Sequence, residues 1–437
     1  MMKQIFETQL VDEAIAQLKM SDLGGATIGQ MSNLAALLME RTGIPVVRMD
    51  QGVPSLEPSI VGRRAEQEAL ETNVAAIYPP AEGIPVLKNE SSRFIEAFLG
   101  IKLAPEGCIP VCGSVAGSFG SFIMCNQCAE GRDRVLFIDP GFPIQKSQLN
   151  VLGYKWESFD IYHHRGEALR DQLEKFLAKG NISAIIYSNP NNPAWICLTE
   201  SELRIIGELA TKYDIIVLED LAYFEMDFRR KLGHPFEPPY QATVARYTDN
   251  YILMLSASKI FSYAGQRMAI AAVSDKLFAR RFPALEKRYG SSGHFGNVMI
   301  NAVLYMITSG TTHTTQYGMA AMLRAASDGR LDFRAHTFEY ARRAAQMKRA
   351  FSDAGFHIVY DKDLGEEIGD GFFFSVGYPG LSSGELIREL MLYGISSISL
   401  STTGSMQQGV RACSSRMDQT QMALLTERLK LFAENHK

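Results

Sequence analysis

The chain has 437 residues, of which 46% are hydrophobic and 21% are charged, a balance typical of a globular protein with a large core. The formal net charge of −4 gives no overall positive field, so we expect neither a nucleic-acid nor a membrane partner. The N-terminus lacks the apolar stretch of a signal peptide and no apolar run is long enough to span a bilayer, which predicts a cytoplasmic protein.

Residues 1–42 are predicted to be helical, because apolar residues recur at helical spacing in two stretches separated by Gly24 and Gly25. From Val111 onward, helical stretches alternate with β-rich runs, which are RVLFIDP, ISAIIYSNP, DIIVLEDLAYF, YILMLSAS and RMAIAAVS. These runs are continuously apolar, as is typical of strands covered on both faces. Long helical patterns return over residues 296–355, followed by the strand candidates FFFSVGYP and ISSISLS and a helix from Gln419. The alternation predicts an α/β sheet with helices on both sides.

The chain contains six cysteines, of which Cys125 and Cys128 form a CxxC pair. No second pair follows at the spacing of zinc ligands, so we expect no metal site. Buried thiols in a reducing cytosol are the favoured interpretation.

Lys259 lies in the run SASKIFSYAGQR, residues 256–267. A lysine in this setting can form a Schiff base with the aldehyde of pyridoxal phosphate (PLP). The hydroxyls of Ser256 and Ser258 and the guanidinium of Arg267 could then hold the cofactor phosphate. The alternative is an ordinary loop lysine, which other residues must exclude.

Two further strand ends carry polar residues that suit the same cofactor. The strand DIIVLED ends in Asp220, whose carboxylate can keep a pyridine nitrogen protonated, and Tyr223 can bond the ring's phenolic oxygen. The strand ISAIIY leads into SNPNNP, a rigid loop in which Asn192 can donate to that oxygen. Since ligands of open α/β sheets lie beyond the carboxyl ends of the strands, we expect these residues to meet.

Two glycine-containing turns complete the predicted site. In IPVCGSVAGSFGSF, Gly113 and Ser114 lie where a strand meets a helix start, and free N–H groups there can bind an anion. In DPGFPIQ, Phe142 follows a strand, and its ring could stack on a pyridine face. A rigid turn and a core phenylalanine are the simpler interpretations of these runs taken alone.

Taken in order, these runs resemble the class I/II aminotransferase family of fold-type I PLP-dependent enzymes. The matching segments are MDQGVPSLEP, IYPPAEGIPVLKN, CGSVAG, DPGFP, SNPNNP, EDLAY, SASKIFSYAGQR and GVRAC, which together span residues 49–413. The resemblance implies a large domain with a mostly parallel seven-stranded sheet flanked by helices, and a smaller α+β domain. Residues 1–60 and 311–437 are assigned to the small domain, and residues 61–310 to the large PLP-binding domain.

The resemblance also implies roles for individual residues. Those assigned to the cofactor are Gly113, Ser114, Phe142, Asn192, Asp220, Tyr223, Ser256, Ser258, Lys259 and Arg267. Tyr78 matches a tyrosine that reaches the phosphate across a homodimer interface. Arg411, Gly52 and Asn192 are assigned to the substrate, with Arg411 binding the α-carboxylate. Lys259, Asp220 and Tyr223 are the catalytic residues of a ping-pong transfer between an L-amino acid and a 2-oxo acid.

The chain departs from the family pattern at two places. In the family a Thr-Gly pair usually follows the second Asn-Pro, whereas this chain has Ala194 and Trp195 there. Trp195 either reshapes the pocket or packs outside it. The usual Pro-Gly before the carboxylate arginine is absent from residues 395–410, so specificity for the substrate side chain stays open. Arg416 is an alternative candidate for binding the substrate α-carboxylate, beside or in place of Arg411. Arg288 lies where dicarboxylate-specific relatives can supply an arginine to the partner's site, or it is a solvated surface residue.

Other functions on the same fold stay open at this point. The same residues serve β-lyases that cleave C–S bonds, and decarboxylases. A remote alternative is an effector-binding module of a transcription regulator. The residues before the first family motif hold more acids than bases, which argues against a DNA-binding domain there.

Overall fold

The computed structural model of the protein describes residues 4–436, so residues 1–3 and 437 of the predicted terminal elements lie outside it. The α-helices are α1 (Thr8–Gln17), α2 (Ile28–Thr42), α3 (Ile60–Leu70), α4 (Pro85–Leu99), α5 (Gly113–Gln127), α6 (Pro143–Leu152), α7 (Ala168–Leu177), α8 (Glu200–Tyr213), α9 (Ala257–Ile260), α10 (Asp275–Ala279), α11 (Pro283–Tyr289), α12 (Phe295–Val298), α13 (Tyr305–Thr308), α14 (His313–Ser327), α15 (Phe333–Asp353), α16 (Ser383–Leu392) and α17 (Gln419–Asn435). A π-helical turn, Met299–Leu304, joins α12 to α13.

The β-strands are β1 (Val47–Arg48), β2 (Cys108–Val111), β3 (Arg134–Asp139), β4 (Lys155–Asp160), β5 (Ile182–Ser188), β6 (Ile216–Leu221), β7 (Tyr251–Ser256), β8 (Ala269–Val273), β9 (His357–Ile358), β10 (Lys362–Asp363), β11 (Glu366–Glu367), β12 (Phe373–Gly377), β13 (Ile395–Ser396), β14 (Ile398–Ser399) and β15 (Val410–Cys413). The five predicted central strands correspond to β3, β5, β6, β7 and β8, and the predicted C-terminal helix is α17.

Seven strands form the main sheet in the order β2-β8-β7-β6-β5-β3-β4. All neighbours pair in parallel except β8, which runs antiparallel to β2 and β7. Successive residues point to opposite faces: Leu136 belongs to the apolar cluster on one side, and Val135 to the cluster that includes α5 on the other. This arrangement confirms the predicted mostly parallel seven-stranded sheet flanked by helices.

The edge strand β4 is not among the predicted strands. Its sequence KWESFD is largely polar, and its first two residues are exposed. An edge strand needs no continuous apolar run because only one side of it is paired and covered. The sequence of β4 therefore lacks the continuous apolar run that indicates the central strands.

A separate apolar cluster, which we call the second core, joins the two ends of the chain. It includes Leu34 of α2, Met347 of α15, Leu386 of α16 and Leu429 of α17, packed with the antiparallel sheet β14-β15-β12-β9. Strand β1 pairs in parallel with β13, aligning Val47 with Ile395. Thus the N-terminal helices pack with the C-terminal part of the chain.

The domain boundaries at residues 60 and 310 stay a prediction. Helix α14 follows the second boundary, yet its apolar residues Met319, Met322 and Leu323 belong to the cluster around the main sheet. The helix packs against α3 and α4.

Local sequence accounts for the break between the first two helices. Thr27 caps α2 by accepting from the Gln30 N–H, and Gln30 in turn accepts from the Thr27 N–H, which is a capping box. Gly43 ends the helix in the left-handed conformation, with φ +71°. Gly24 and Gly25 lie between α1 and α2, as predicted. No helix within residues 4–436 has the length and apolarity that crossing a membrane requires.

Trp195 is fully buried, and its indole occupies the space that a side chain at Gly371 would need. We predict that Gly371→Ala lowers the free energy of unfolding by about 1–3 kcal/mol, because the added methyl overpacks the core. In a Trp195→Phe background the smaller ring leaves room for the added methyl. Gly371→Ala is then expected to lower the free energy of unfolding by less. Urea unfolding of the four apoproteins measures both effects, and equal losses in the two backgrounds would contradict this account.

Candidate active site

A cavity lies at the carboxyl ends of the central parallel strands, where Ser188, Asp220 and Ser256 end or almost end β5, β6 and β7. The start of α5 and residues of β12 and β15 close it from other sides. The predicted residues that line it are Gly52, Ser114, Phe142, Asn192, Asp220, Tyr223, Ser256, Ser258, Lys259, Arg267 and Arg411. Gly113 borders it beside Arg267. The structure therefore brings these residues together, while their individual roles stay predictions.

Lys259 lies in the single turn α9, which begins after Ser256. Its Nζ donates to the backbone oxygen of Gly52 at 2.5 Å and lies 5.2 Å from the centre of the Phe372 ring. Removal from water lowers the pKa of Lys259 to about 8, and the positive charges of Arg411 and Arg267 act in the same direction. A usable fraction of this amine is therefore unprotonated near neutral pH.

Asp220 is buried at the end of β6 and has both carboxylate oxygens hydrogen bonded. Gln145 Nε2 donates to Oδ2 at 3.1 Å, and the Ala222 N–H donates to Oδ1 at 3.1 Å. Burial raises the pKa of Asp220 to about 6, because few charges compensate for the lost water. A cationic ring nitrogen would supply that compensation. Sequence reasoning missed Gln145, although it lies one helical turn after Phe142 on α6.

Gly113 and Ser114 open α5, and Gly113 faces the Arg267 guanidinium. A Cβ at Gly113 would overlap that guanidinium, so only glycine permits the approach. The Ser114 Oγ is buried and has no hydrogen-bond partner. An anion at this helix start would meet free N–H groups, an unsatisfied hydroxyl and a cation, which is the donor set that a phosphate requires. The residues present therefore fit the phosphate of PLP.

Tyr223 and Asn192 face the cavity from adjacent strand ends. The Tyr223 ring packs edge-on against Trp195, with centroids 5.5 Å apart, and against Phe373 at 5.4 Å. Trp195 has a left-handed backbone, φ +62°, and does not line the cavity. Of the two interpretations of Trp195, packing outside the pocket is the one that the structure supports.

Arg411 on β15 is 1% exposed, and within residues 4–436 no carboxylate forms an ion pair with it. Its Nη2 donates to the Asp50 backbone oxygen at 2.6 Å, and its Nη1 to Asn192 Oδ1 at 3.4 Å. The guanidinium lies over the Phe373 ring, 4.6 Å from its centre, and the buried Nε has no partner. A buried guanidinium without an anion is poised to bind a carboxylate.

Three other predicted residues lie away from the cavity within this chain. Tyr78 is 86% exposed and borders a surface hollow with Ile77 and His313. Arg416 donates to Gln51 Oε1 at 3.1 Å and does not line the cavity. Arg288 borders a different hollow near the C-terminal end of α5, the end opposite Gly113.

The CxxC pair is part of the core. Cys125 lies on α5 and Cys128 just after it, both are buried, and burial raises the pKa of each thiol. The six cysteines are free thiols. In the described part of the chain no group of side chains could hold a metal ion.

Solved structures of PLP-dependent aminotransferases share this fold. An alanine aminotransferase from Pyrococcus furiosus superposes with a TM-score of 0.75, with 16% identity and coverage of 96% of this chain and 99% of the other. An aspartate aminotransferase from Thermus thermophilus, a double mutant, gives 0.73, with 15% identity and coverage of 96% and 98%. The fold is therefore that of the fold-type I PLP-dependent enzymes.

The chain belongs to the family of class I and II aminotransferases, whose model matches residues 44–429. It is an enzyme, and its cofactor is PLP, which this family uses. Among curated relatives, the transaminase BacF of Bacillus subtilis is 26% identical over 55% of this chain and 58% of its own length. The putative aminotransferase AatC of Rhizobium meliloti is 26% identical over 72% of this chain and 71% of its own length. The chain thus spans less than two thirds of BacF.

Gly113 and Gly153 allow a matched test of the phosphate site, because both have φ near +70° but only Gly113 faces a side chain. We expect Gly113→Ala to weaken PLP binding at least about tenfold, since the methyl displaces the Arg267 guanidinium. Gly153→Ala introduces similar backbone strain without that contact, so its PLP affinity is expected to stay unchanged. Titration of apoprotein with PLP measures both, and equal losses of affinity would refute the contact.

Asp220 is expected to lower the stability of the apoprotein at neutral pH. Its raised pKa means that unfolding favours loss of its proton, so this contribution to stability falls between about pH 4 and 6 and stays low above. Asp220→Asn should therefore raise the free energy of unfolding by about 1–3 kcal/mol at pH 8, change it little at pH 4, and weaken PLP binding.

Asp227 is the control. Burial raises the pKa of this carboxyl, but the hydrogen bonds and the positive charge of Arg229 together outweigh burial and lower the pKa. Asp227→Asn should accordingly destabilise the apoprotein at pH 8. Calorimetry of the three proteins at both pH values measures these effects. A gain for Asp220→Asn that is equal at pH 4 and pH 8 would rule out a charge effect.

Proposed function

We propose that the protein transfers an amino group between an L-amino acid and a 2-oxo acid in a ping-pong reaction. The observation that carries the proposal is one cavity lined by the Lys259 amine, the buried Asp220 carboxylate and the Arg411 guanidinium, which has no ion-pair partner among the described residues. When bound, PLP supplies an aldehyde that captures amines and a ring that withdraws electrons. Family membership supports the same activity.

The chain's own residues divide the work by position. Arg411 would bind the substrate α-carboxylate, because its guanidinium is buried and its Nε has no partner. Asp220 would hold the ring nitrogen in its protonated form, with Gln145 and the Ala222 N–H fixing the carboxylate. Tyr223 and Asn192 would bind the phenolic oxygen.

Lys259 Nζ would take a proton from the substrate and return it at a different atom. Its lowered pKa makes the free amine available as a base near neutral pH. The cofactor phosphate would be held by Gly113, Ser114, Ser256, Ser258 and Arg267, with Phe142 against the ring. Because the amino acid and the 2-oxo acid would use Arg411 in turn, ping-pong kinetics follow.

We also propose that the protein works as a cytoplasmic homodimer in amino acid metabolism. Tyr78, Ile77 and Leu70 are exposed around one hollow, and a second copy would cover this apolar surface. In that arrangement Tyr78 would reach the phosphate of the partner's cofactor. Six free thiols support a reducing compartment.

Lys259→Ala tests the proposal. We expect a PLP adduct, fixed by borohydride reduction, on the wild-type protein at Lys259, and no adduct at this position in the variant. Turnover should fall at least about a thousandfold, because both the covalent link and the proton carrier are lost. Mass spectrometry of the reduced protein and assay of 2-oxo acid formation give the two readouts. Unchanged adduct and turnover would refute the assignment.

A product assay separates aminotransferase from lyase. The holoenzyme is expected to convert an amino acid to its 2-oxo acid and to require a second 2-oxo acid for continued turnover. Pyruvate and ammonia released from cystathionine without an acceptor would favour a β-lyase instead.

A further inference from the structure

The positive charges of the cavity are accounted for by the proposed function. In the described part of the chain, the cationic side chains that line the cavity are Lys259, Arg267 and Arg411. Arg267 lies beside Gly113 at the phosphate end, and Arg411 lies beside Asn192 at the carboxylate end. Lys259 donates to the backbone oxygen of Gly52. These three leave no cation lining the cavity to bind a second carboxylate of a substrate.

Three cations that do not line the cavity have polar partners within the chain, and these are Arg48, Lys146 and Arg416. Arg48 binds both oxygens of Asp50, at 2.8 and 2.7 Å, and Lys146 pairs with Asp139. Arg416 donates to Gln51, as described above. Arg288 lies toward the far end of α5. Within one chain, a distal carboxylate would therefore be desolvated without an ion-pair partner.

Apolar side chains also line the cavity. Ile28 is the first residue of α2 and is partly exposed, while Ile144 lies in the first turn of α6 and is 39% exposed. Val115 and Phe142 line the same cavity. The two isoleucines come from separate helices and are partly exposed. Contact with an apolar ligand group would remove their side chains from water, which is favourable.

We propose that the amino donor has an uncharged, apolar side chain, and that Ile28 and Ile144 contact it. The inference rests on the proposed transfer reaction and names the substrate class of the same site. Leucine, methionine and phenylalanine have the chemistry that this lining recognises. Aspartate and glutamate do not, because within the chain their second carboxylate would meet no free cation that lines the cavity.

The first experiment compares amino donors with the holoenzyme. Single-turnover conversion of the bound cofactor is followed by absorbance with leucine, methionine, phenylalanine, aspartate and glutamate. We expect rates per substrate concentration at least about tenfold higher for the apolar donors. Fastest conversion by aspartate or glutamate would overturn the inference and leave the transfer reaction intact. Loss of that activity in Arg288→Ala would then point to Arg288 from a second copy of the chain.

If no amino donor reacts, the proposed transfer reaction is refuted. A binding measurement then still tests whether the site prefers an apolar side chain. Calorimetry with the holoenzyme compares 4-methylpentanoate, which has one carboxylate and an apolar end, with glutarate, which has two carboxylates. Tighter binding of 4-methylpentanoate supports the apolar contact. Tighter binding of glutarate overturns it.

Two matched variants test the residue assignment on one helix. Ile144 and Val151 both lie on α6 and both are exposed, at 39% and 79%, but only Ile144 lines the cavity. Ile144→Lys should lower the leucine rate at least about tenfold and raise the rate with glutamate, by supplying the missing cation. Val151→Lys should change neither rate. The same leucine-to-glutamate ratio in both variants would refute the contact.

Discussion

The parallel pairing of β5, β6 and β7 is the constraint on which the candidate site depends. Their register aligns Ser188 with Asp220 and Asp220 with Met254, two residues before Ser256. The loops that follow these strands therefore leave the sheet on the same side, at the carboxyl ends of the strands. Asn192, Tyr223 and Lys259 enter one cavity there. A slip of one residue in β6 would turn Asp220 to the opposite face of the sheet.

Burial of charged groups at the carboxyl ends of these strands shifts the pKa values on which the proposed chemistry depends. Lys259 loses affinity for its proton and Asp220 gains affinity for one because both are removed from water. Arg411 is held by a backbone oxygen, an amide and an aromatic face instead of a carboxylate. We expect these groups to reduce the stability of the protein without ligands, as is common where function requires unpaired charge.

Much of this arrangement could be predicted from the sequence, because the central strands are buried on both faces and read as continuous apolar runs. The residues that follow them are polar and therefore stand out. Gln145 could not be recognised, since its role depends on α6 lying against the end of β6. Nor could the packing of Trp195 behind Tyr223, which depends on the missing side chain of Gly371. Tyr78 needs a second chain to have any role, so one sequence leaves that role a prediction.

The first turn of α6 has a consequence for how this enzyme can change over evolution. It carries Gln145, which donates to Asp220, and Ile144, which lines the cavity, and it directly follows Phe142, which is proposed to lie against the cofactor ring. A backbone shift that accommodates a new side chain at Ile144 would move the other two residues as well. Ile28 belongs to α2, which packs in the second core and carries none of these groups. New donor preferences should therefore arise at lower catalytic cost through residue 28 than through residue 144.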